Sequence, residues 1–472
     1  MNAKCVRRVL LPLHERLRGR KTFAYLDELQ SSQWRSADEL HTLQTQKLQA
    51  LLDHSSRKIP YYRELLGGPF QSQYDDPWSV LARLPLLDKA TIRSRRQALC
   101  CPEVPGGLIE ARTGGSTGEP LKFYLDRRRQ AYDKAARMRT HEWFGVHPGD
   151  KEIYLWGSPW EIRRQDRLRS VRDRLTNERL LSAFDLSEDT MARYLRVIDR
   201  YRPASIFGYP SSLVLLCEFA SRQGLRRSLP SLRAVFVTGE VCDQHQRDTI
   251  ESYFQVPVAN GYGSREAGFI AHECPSGTMH VTDENVIVEI VDPAADSERA
   301  ADFSPRGLKS ANGPGEIVVT HLDNYGMPMI RYRTGDLGRH ADTVCACGRA
   351  LTALDAIQGR KTDHLVASDG SLSHGLSLIY VLRDMDRVRQ FQIHQRADLD
   401  LLIRIVADAG FNGRHHERIL SATHEQLGAG VGVCIEQVDQ IAASASGKHR
   451  CVTSEAFVAL SSRSALSGAD QS

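Results

Sequence analysis

The run Thr113-Gly114-Gly115-Ser116-Thr117-Gly118-Glu119-Pro120-Leu121-Lys122 gathers glycines, hydroxyls and a lysine in one short stretch. Glycines let backbone amides turn inward and approach an anion closely, hydroxyls donate to its oxygens, and a nearby ammonium adds charge, so the run suits a phosphate. Gly114-Gly115-Ser116-Thr117-Gly118 also spells G-x-S-x-G, the nucleophile elbow of hydrolases. An elbow must lead into a helix, whereas Pro120 and the alternating Leu121, Phe123 and Leu125 predict a strand. A serine hydrolase is therefore the second reading and a plain surface loop the third. No G-x-x-x-x-G-K-[ST] occurs, which excludes a Walker A loop, and neither G-x-G-x-x-G nor H-E-x-x-H is present.

Further along, Asn260-Gly261-Tyr262-Gly263-Ser264-Arg265-Glu266 sets a ring and a carboxylate in what reads as a glycine-rich turn after the strand-like Val256-Pro257-Val258. A base could stack on Tyr262, and Glu266 could hold a magnesium ion bridging phosphates. Arg331-Tyr332-Arg333-Thr334-Gly335-Asp336 ends a β-like run on a carboxylate able to accept from both hydroxyls of a ribose. Each alone is equally well an ordinary turn. Cys274, His280, Cys345 and Cys347 supply three thiolates and an imidazole, enough to close a structural zinc site with no open position. The rival reading is four unconnected residues, with His272 as an alternative ligand. Cys100 and Cys101 read as inert core.

The elements that must position these groups follow from periodicity. Leucines at 40, 43, 48, 51 and 52 share a helical face behind a capping box at Ser36 and Glu39, and that helix ends before Pro60. Between Ala111 and Ile330, short β-rich runs such as 205–207 and 234–237 alternate with helical stretches such as 211–221, predicting an α/β fold with helix-covered sheets. Val286, Val288 and Ile290 share a strand face, with Glu284 and Ile287 breaking the alternation, and 316–320 is a second β-branched run; antiparallel sheet is expected there. After Gly359-Arg360-Lys361 the pattern restarts, with strands at 391–395, 401–406 and 431–438 and a helix at 414–427, as in a small α+β domain. The arginine-dense 163–174 segment reads as a solvated helix face.

The three glycine-bearing motifs, in this order, resemble the adenylate-forming superfamily of acyl- and aryl-CoA ligases. Ile59-Pro60-Tyr61-Tyr62, Leu84-Pro85-Leu86-Leu87-Asp88-Lys89 and Thr238-Gly239-Glu240 are most similar to its phenylacetate-CoA ligase family. Phe391-Gln392-Ile393-His394-Gln395 and Ser446-Gly447-Lys448-His449-Arg450-Cys451-Val452 are similar to the branch associated with capsular polysaccharide biosynthesis. The resemblance runs from about Leu26 to Val458.

It implies an ATP- and magnesium-dependent ligase that activates a small carboxylic acid as acyl-adenylate and passes it to coenzyme A. A carrier-protein thiol or an amine as acceptor, or a scaffold without turnover in polysaccharide assembly, are the alternatives. Thr113, Gly114, Gly115, Ser116, Thr117, Gly118 and Lys122 would grip the β- and γ-phosphates. Gly239, Glu240, Tyr262 and Gly263 would border the adenine, Glu266 bind magnesium, Asp336 hold the ribose, Arg360 lie near the nucleotide and Lys448 be the mobile catalytic lysine. The loop departs from many relatives in reading Pro-Leu-Lys rather than Pro-Lys at 120–122. Some relatives share the Cys₃His zinc set. The expected organisation is an ANL-type large domain at 1–359 with a helical lead-in at 1–70, a mobile lid at 360–460 hinged at Asp363, and a frayed tail at 461–472. Trp156, Phe207, Tyr209 and Ser211 are candidates for lining the acid pocket.

Composition fits a small-molecule enzyme. With 41% hydrophobic and 25% charged residues over 472 positions, the chain can bury large cores. Its charge of +4 is too slight over that length to point to nucleic acid or an anionic membrane. Ten cysteines without a clear secretory leader favour reduced thiols and a cytoplasmic setting, and no apolar run is long enough to span a membrane. The basic N-terminal stretch leaves a peripheral membrane contact open.

Overall fold

The computed structural model describes residues 1–71, 73–112, 121–156, 172–183, 186–225, 228–240, 242, 244–291, 315–341, 344–358, 364–439, 441 and 452–456. Strands β1 (Ile109–Arg112) and β2 (Lys122–Leu125) form an antiparallel hairpin in which Arg112 faces Lys122. Residues 113–118 lie outside the described set, but a strand, not a helix, follows them, which removes the nucleophile-elbow reading.

Eleven strands build the main sheet. They are β3 (Glu152–Leu155), β4 (Glu178–Leu181), β5 (Ser205–Gly208), β6 (Ala234–Thr238), β7 (Val258–Ser264), β8 (Gly268–Glu273), β9 (Met279–Val281), β10 (Val286–Val291), β11 (Gly315–His321), β12 (Tyr332–His340) and β13 (Ala353–Gln358). Their order is β10-β11-β12-β13-β9-β8-β7-β6-β5-β3-β4. From β4 to β7 neighbours are parallel, because the helices Glu188–Tyr201, Pro210–Arg222 and Gln244–Phe254 return the chain between strands. These helices cover one core, with Leu195, Leu213, Leu216 and Ile250 against Ile153, Ile206 and Val235. From β7 to β10 every pairing is antiparallel. A second core lies there, where Leu48, Leu51 and Leu52 meet Val286, Val288 and Ile290.

The helix Ala37–Lys58 starts at the expected capping box, with the Glu39 amide donating to Ser36 Oγ at 3.3 Å and the Ser36 amide to Glu39 Oε2 at 2.8 Å. All of β10 is buried, Ile287 included, and Glu284 just before it is buried as well. Ile287 joins the core, and Glu284, just outside the strand, accepts from Arg139 at 2.8 Å and Ser32 at 2.7 Å. A buried carboxylate persists only when paired in this way.

Strands β14 (His364–Val366) and β15 (Leu372–His374) form a hairpin. Strands β16 (Val388–Gln395), β17 (Leu401–Ala407), β18 (Val433–Gln437) and β19 (Val452–Ser454) form a separate sheet, ordered β18-β17-β16-β19, with the helix Gly413–Leu427 between β17 and β18. The 391–395 motif is structural. Phe391 and Ile393 enter the small core, and buried Gln395 donates to Val366 O at 2.7 Å while accepting from Ser454 at 2.8 Å.

Glu152 on β3 illustrates how charge is held in the large sheet. Burial opposes its ionisation, but hydrogen bonding and charge from His141, then Arg137 and Tyr154, overcome this and hold the carboxyl down at about 2. A folded-state pKa below the unfolded value contributes stability above pH ~4.5 that is lost as pH falls toward ~2. Glu152→Gln should therefore flatten the acid limb of a urea-unfolding series between those pH values, by up to about 3 kcal/mol. An unchanged limb would mean the pair adds nothing to acid stability.

Candidate active site

At the carboxyl ends of the parallel strands the chain leaves the sheet carrying Trp156 after β3, Tyr209 after β5, Gly239 and Glu240 after β6, and Glu266 after β7. Open α/β sheets bind ligands at this edge. Here a cleft of about 190 Å³ is lined by Lys89, Gly239, Glu240, Asn260, Tyr262, Glu266, Tyr332, Thr334 and Asp336, among others.

Two expectations about local structure are corrected. Asn260 to Ser264 is not a turn but the second half of β7, where Gly261 pairs with Thr238 on β6. The glycines are needed for packing: a Cβ on Gly263 would lie 2.5 Å from Gly268 O. Tyr262 therefore stands on a strand, and Arg265 and Glu266 fall in the turn beyond it. Likewise Asp336 does not end a strand but lies inside β12, where irregular registers with β11 and β13 interrupt the regular ladders.

The polar groups converge. The Tyr262 hydroxyl donates to Asp336 Oδ2 at 3.0 Å, and the Asp336 amide donates to Thr334 Oγ1 at 3.1 Å. Glu266 is 6% exposed, and the Tyr332 hydroxyl donates to its Oε1 at 3.1 Å. The Ser211 amide donates to Glu240 Oε2 at 3.2 Å. Gly239 adopts φ +85°, and a Cβ there would sit 3.0 Å from the Tyr209 ring and 3.5 Å from Trp156. That space lets the two rings stack at 4.0 Å against the cleft wall. Phe207 instead packs on Tyr154 and Trp156 behind them.

Spacing alone had not marked Asn260, Thr334, Tyr332 or Lys89 as site residues. Asn260 Oδ1 is buried with no partner among the described residues, an acceptor waiting for a donor. Lys89 reaches the cleft because Leu87 bridges to β12, its amide donating to Arg331 O at 2.8 Å and its carbonyl accepting from Arg333 at 2.9 Å. The Tyr62 hydroxyl, donating to Pro328 O at 2.9 Å, braces the segment leading into that strand. These contacts give the 59–62 and 84–89 segments their purpose. Lys122 is exposed on the hairpin. Arg360 and Lys448 lie outside the described residues, the latter shortly before β19.

A larger cavity of about 830 Å³ touches Trp156 and mixes cations such as Arg112, Arg137 and Arg265 with the carboxylates Glu15, Asp173 and Glu178. The smaller cleft is the candidate centre, because the motif residues meet there.

Cys274, His280, Cys345 and Cys347 come together with their ligand atoms within 4.8 Å of one another. Cys274 and Cys345 sulfurs are 3.6 Å apart, and Cys347 Sγ lies 3.2 Å from His280 Nε2. Four ligands around a tetrahedral ion at ~2.3 Å would be spaced much like this. His280 Nδ1 faces Leu351 O at 3.2 Å, which leaves Nε2 for the thiols. His272 is not a member: its Nδ1 is engaged by Glu273 O and its ring packs among Phe236, Phe269 and Trp143. Burial works against both thiolates, pushing Cys274 up to about 11, while hydrogen bonds from Thr278, the Cys347 amide and His280 bring Cys345 down to about 6. Beside the cluster, the Arg349 guanidinium is sandwiched between Trp34 and Trp143 at 4.6 and 4.4 Å.

A half-parallel main sheet with an open cleft at its strand ends, followed by a small α+β unit, is the architecture of the adenylate-forming ligases. The family described as AMP-binding enzyme matches residues 180–321, and that described as CapK C-terminal domain matches 365–455. Protein CapK of Staphylococcus aureus is 20% identical, over 92% of this chain and 93% of its own length. Phenylacetate-coenzyme A ligase of Escherichia coli K12 is 26% identical, over 83% of this chain and 86% of its own. A crystal structure of 2-hydroxyisobutyryl-CoA ligase, in complex with 2-HIB-AMP and CoA in the thioesterification state, superposes with a TM-score of 0.59 at 21% identity, covering 92% of this chain and 94% of that one. Across most of its length the chain is similar to the phenylacetate-CoA ligases and to CapK, and the AMP-binding and CapK C-terminal matches support its placement among the adenylate-forming ligases.

Proposed function

We propose that the cleft binds ATP, activates a carboxylic acid as its acyl-adenylate, and hands the acyl group to coenzyme A. The convergence of Asn260, Tyr262, Glu266 and Asp336 on one cleft carries this reading. Asn260 Oδ1 would accept from the adenine amino group, and Tyr262 with Gly239 and Glu240 would border the base. Asp336 would accept from the ribose hydroxyls, oriented by Tyr262 and Thr334. Glu266, held by Tyr332, would take the magnesium ion that offsets phosphate charge. Residues 113–118 with Lys122 are proposed for the β- and γ-phosphates, and Arg360 for a place near the nucleotide.

In the first step a carboxylate oxygen attacks the α-phosphorus and pyrophosphate leaves. Two anions meet, so Lys448, brought in by the small domain, would offset charge as it builds. In the second, a thiolate attacks the acyl carbonyl and AMP departs. We assign residues 1–359 to the large domain and 360–460 to a lid turning at Asp363, which would shield the adenylate from water between the steps. The Cys₃His cluster would hold zinc.

A second reading rests on the CapK C-terminal match: the acceptor is a carrier-protein thiol or an amine in capsular polysaccharide assembly, or the chain serves there without turnover. Pyrophosphate release from ATP and magnesium across aryl, fatty and short acids separates these. Acid-dependent release that coenzyme A stimulates is expected. Release without stimulation would move the acceptor to the second reading, and silence across the panel would remove catalysis.

A further inference from the structure

The charge of the chain is concentrated at one end. Residues 1–21 hold seven of its 62 basic residues and one of its 58 acidic ones, so the rest of the chain is slightly acidic. The whole-chain sum of +4 conceals this.

Those residues form a continuous helical segment in three parts, α-helical at Ala3–Cys5, π-helical at Val6–Leu10 and α-helical at Leu11–Leu17. One face is fixed to the body of the protein. Val6, Leu11 and Glu15 are buried, Glu15 accepts from Lys134 at 2.8 Å and Thr22 at 2.6 Å, and Arg7 donates to Pro148 O at 3.0 Å. The opposite face carries Cys5, Val9, Leu13 and Leu17, spaced by four, with Val9 53%, Leu13 52% and Leu17 79% exposed. In a pure α-helix that spacing drifts steadily around the axis. The π turn, closed by the Leu11 amide on Val6 O, has more residues per turn and cancels part of the drift, so the stripe stays straight. Lys4, Arg8 and Arg16 flank it, all exposed and paired with no acidic group among the described residues.

We propose that this face docks on an anionic lipid surface, with the helix lying in the plane of the interface. An aliphatic stripe edged by cations matches acyl chains beneath anionic headgroups. Nucleic acid would use the cations and leave the stripe wet. A second copy seated on the same face would set its Lys4, Arg8 and Arg16 against those of the first. The helix does not span: fifteen residues at ~1.5 Å each fall short of a ~30 Å hydrocarbon core, and no described helix is long and apolar enough to cross a membrane.

The test is flotation of the full chain with vesicles of phosphatidylcholine alone or with about 30 mol% phosphatidylglycerol, at low and high salt. Binding to the anionic vesicles is expected, at least about tenfold tighter than to neutral ones and weakening as salt rises. Leu13→Glu with Leu17→Glu should weaken it about 100-fold, and Arg8→Gln with Arg16→Gln about tenfold. Leu17→Glu alone, at a position 79% exposed, removes part of the stripe without touching the fold. Unchanged pyrophosphate release in vesicle-free buffer would show each variant folded. Three results would overturn the proposal: no binding to anionic vesicles, undiminished binding by the leucine variants, or a wild-type dimer that Leu13→Glu splits in gel filtration.

Discussion

Glu266→Gln should abolish most acyl-adenylate formation, lowering acid-dependent pyrophosphate exchange by about 10²–10³-fold while leaving ATP affinity within a few-fold. The substitution keeps the shape of the side chain and an oxygen to accept from Tyr332, so the 3.1 Å contact and the turn after β7 survive. What disappears is the negative charge proposed to hold magnesium against the phosphates as the carboxylate approaches. Glu266 is nearly enclosed, so little water is at hand to screen or substitute for the lost charge. Exchange at the wild-type rate would reduce Glu266 to a hydrogen-bond acceptor for Tyr332. A parallel loss of ATP binding would assign it to ground-state affinity rather than to the reaction.

Cys345→Ser should cost the protein its metal and on the order of 4 kcal/mol of stability, the scale reached when a closed structural site is lost. Purified protein should contain about one equivalent of zinc, and a chelator should lower the wild-type melting temperature toward that of the variant. Cys345 joins the loop 344–349 to the β8–β9 turn that carries Cys274, and His280 reaches it from β9. Without an ion, three thiols and an imidazole would close nothing, since burial keeps Cys274 protonated. Cys434→Ser, at an exposed position far along the chain, is the control that should leave both metal content and melting unchanged. Metal-free protein with full stability would overturn the assignment.

The sequence made the architecture legible wherever period and punctuation agreed. The helix behind the Ser36 capping box, the parallel β5 and β6 with their intervening helix, and the small sheet after residue 364 all formed as patterned. Glycine misled at β7: Asn260-Gly261-Tyr262-Gly263 has the composition of a turn, but the glycines serve close packing against Gly268 and His272. Only tertiary contact distinguishes that use from a bend. The buried pairs were invisible for a similar reason, since Arg331 and Glu289 are 42 residues apart and meet at 2.9 Å only because β10, β11 and β12 are adjacent. In the cleft, the motifs marked Tyr262, Glu266 and Asp336, whereas Lys89 enters through a single bridge from Leu87 to β12, which no local spacing encodes. Whole-chain charge was the least informative quantity, because an excess carried by residues 1–21 was averaged over 472 residues.

The sandwich of Arg349 between Trp34 and Trp143 has an optical consequence. Arg349 follows Cys345 and Cys347 in one short loop, and Trp143 also lies 6.1 Å from the His280 ring, edge-on. Two of the five tryptophans in the chain thus hold the arginine of the cysteine-bearing loop, and a guanidinium pressed on their faces alters the field that sets indole emission. Intrinsic fluorescence can therefore follow the state of that loop in real time, with no label attached and no change to the cleft at the strand ends.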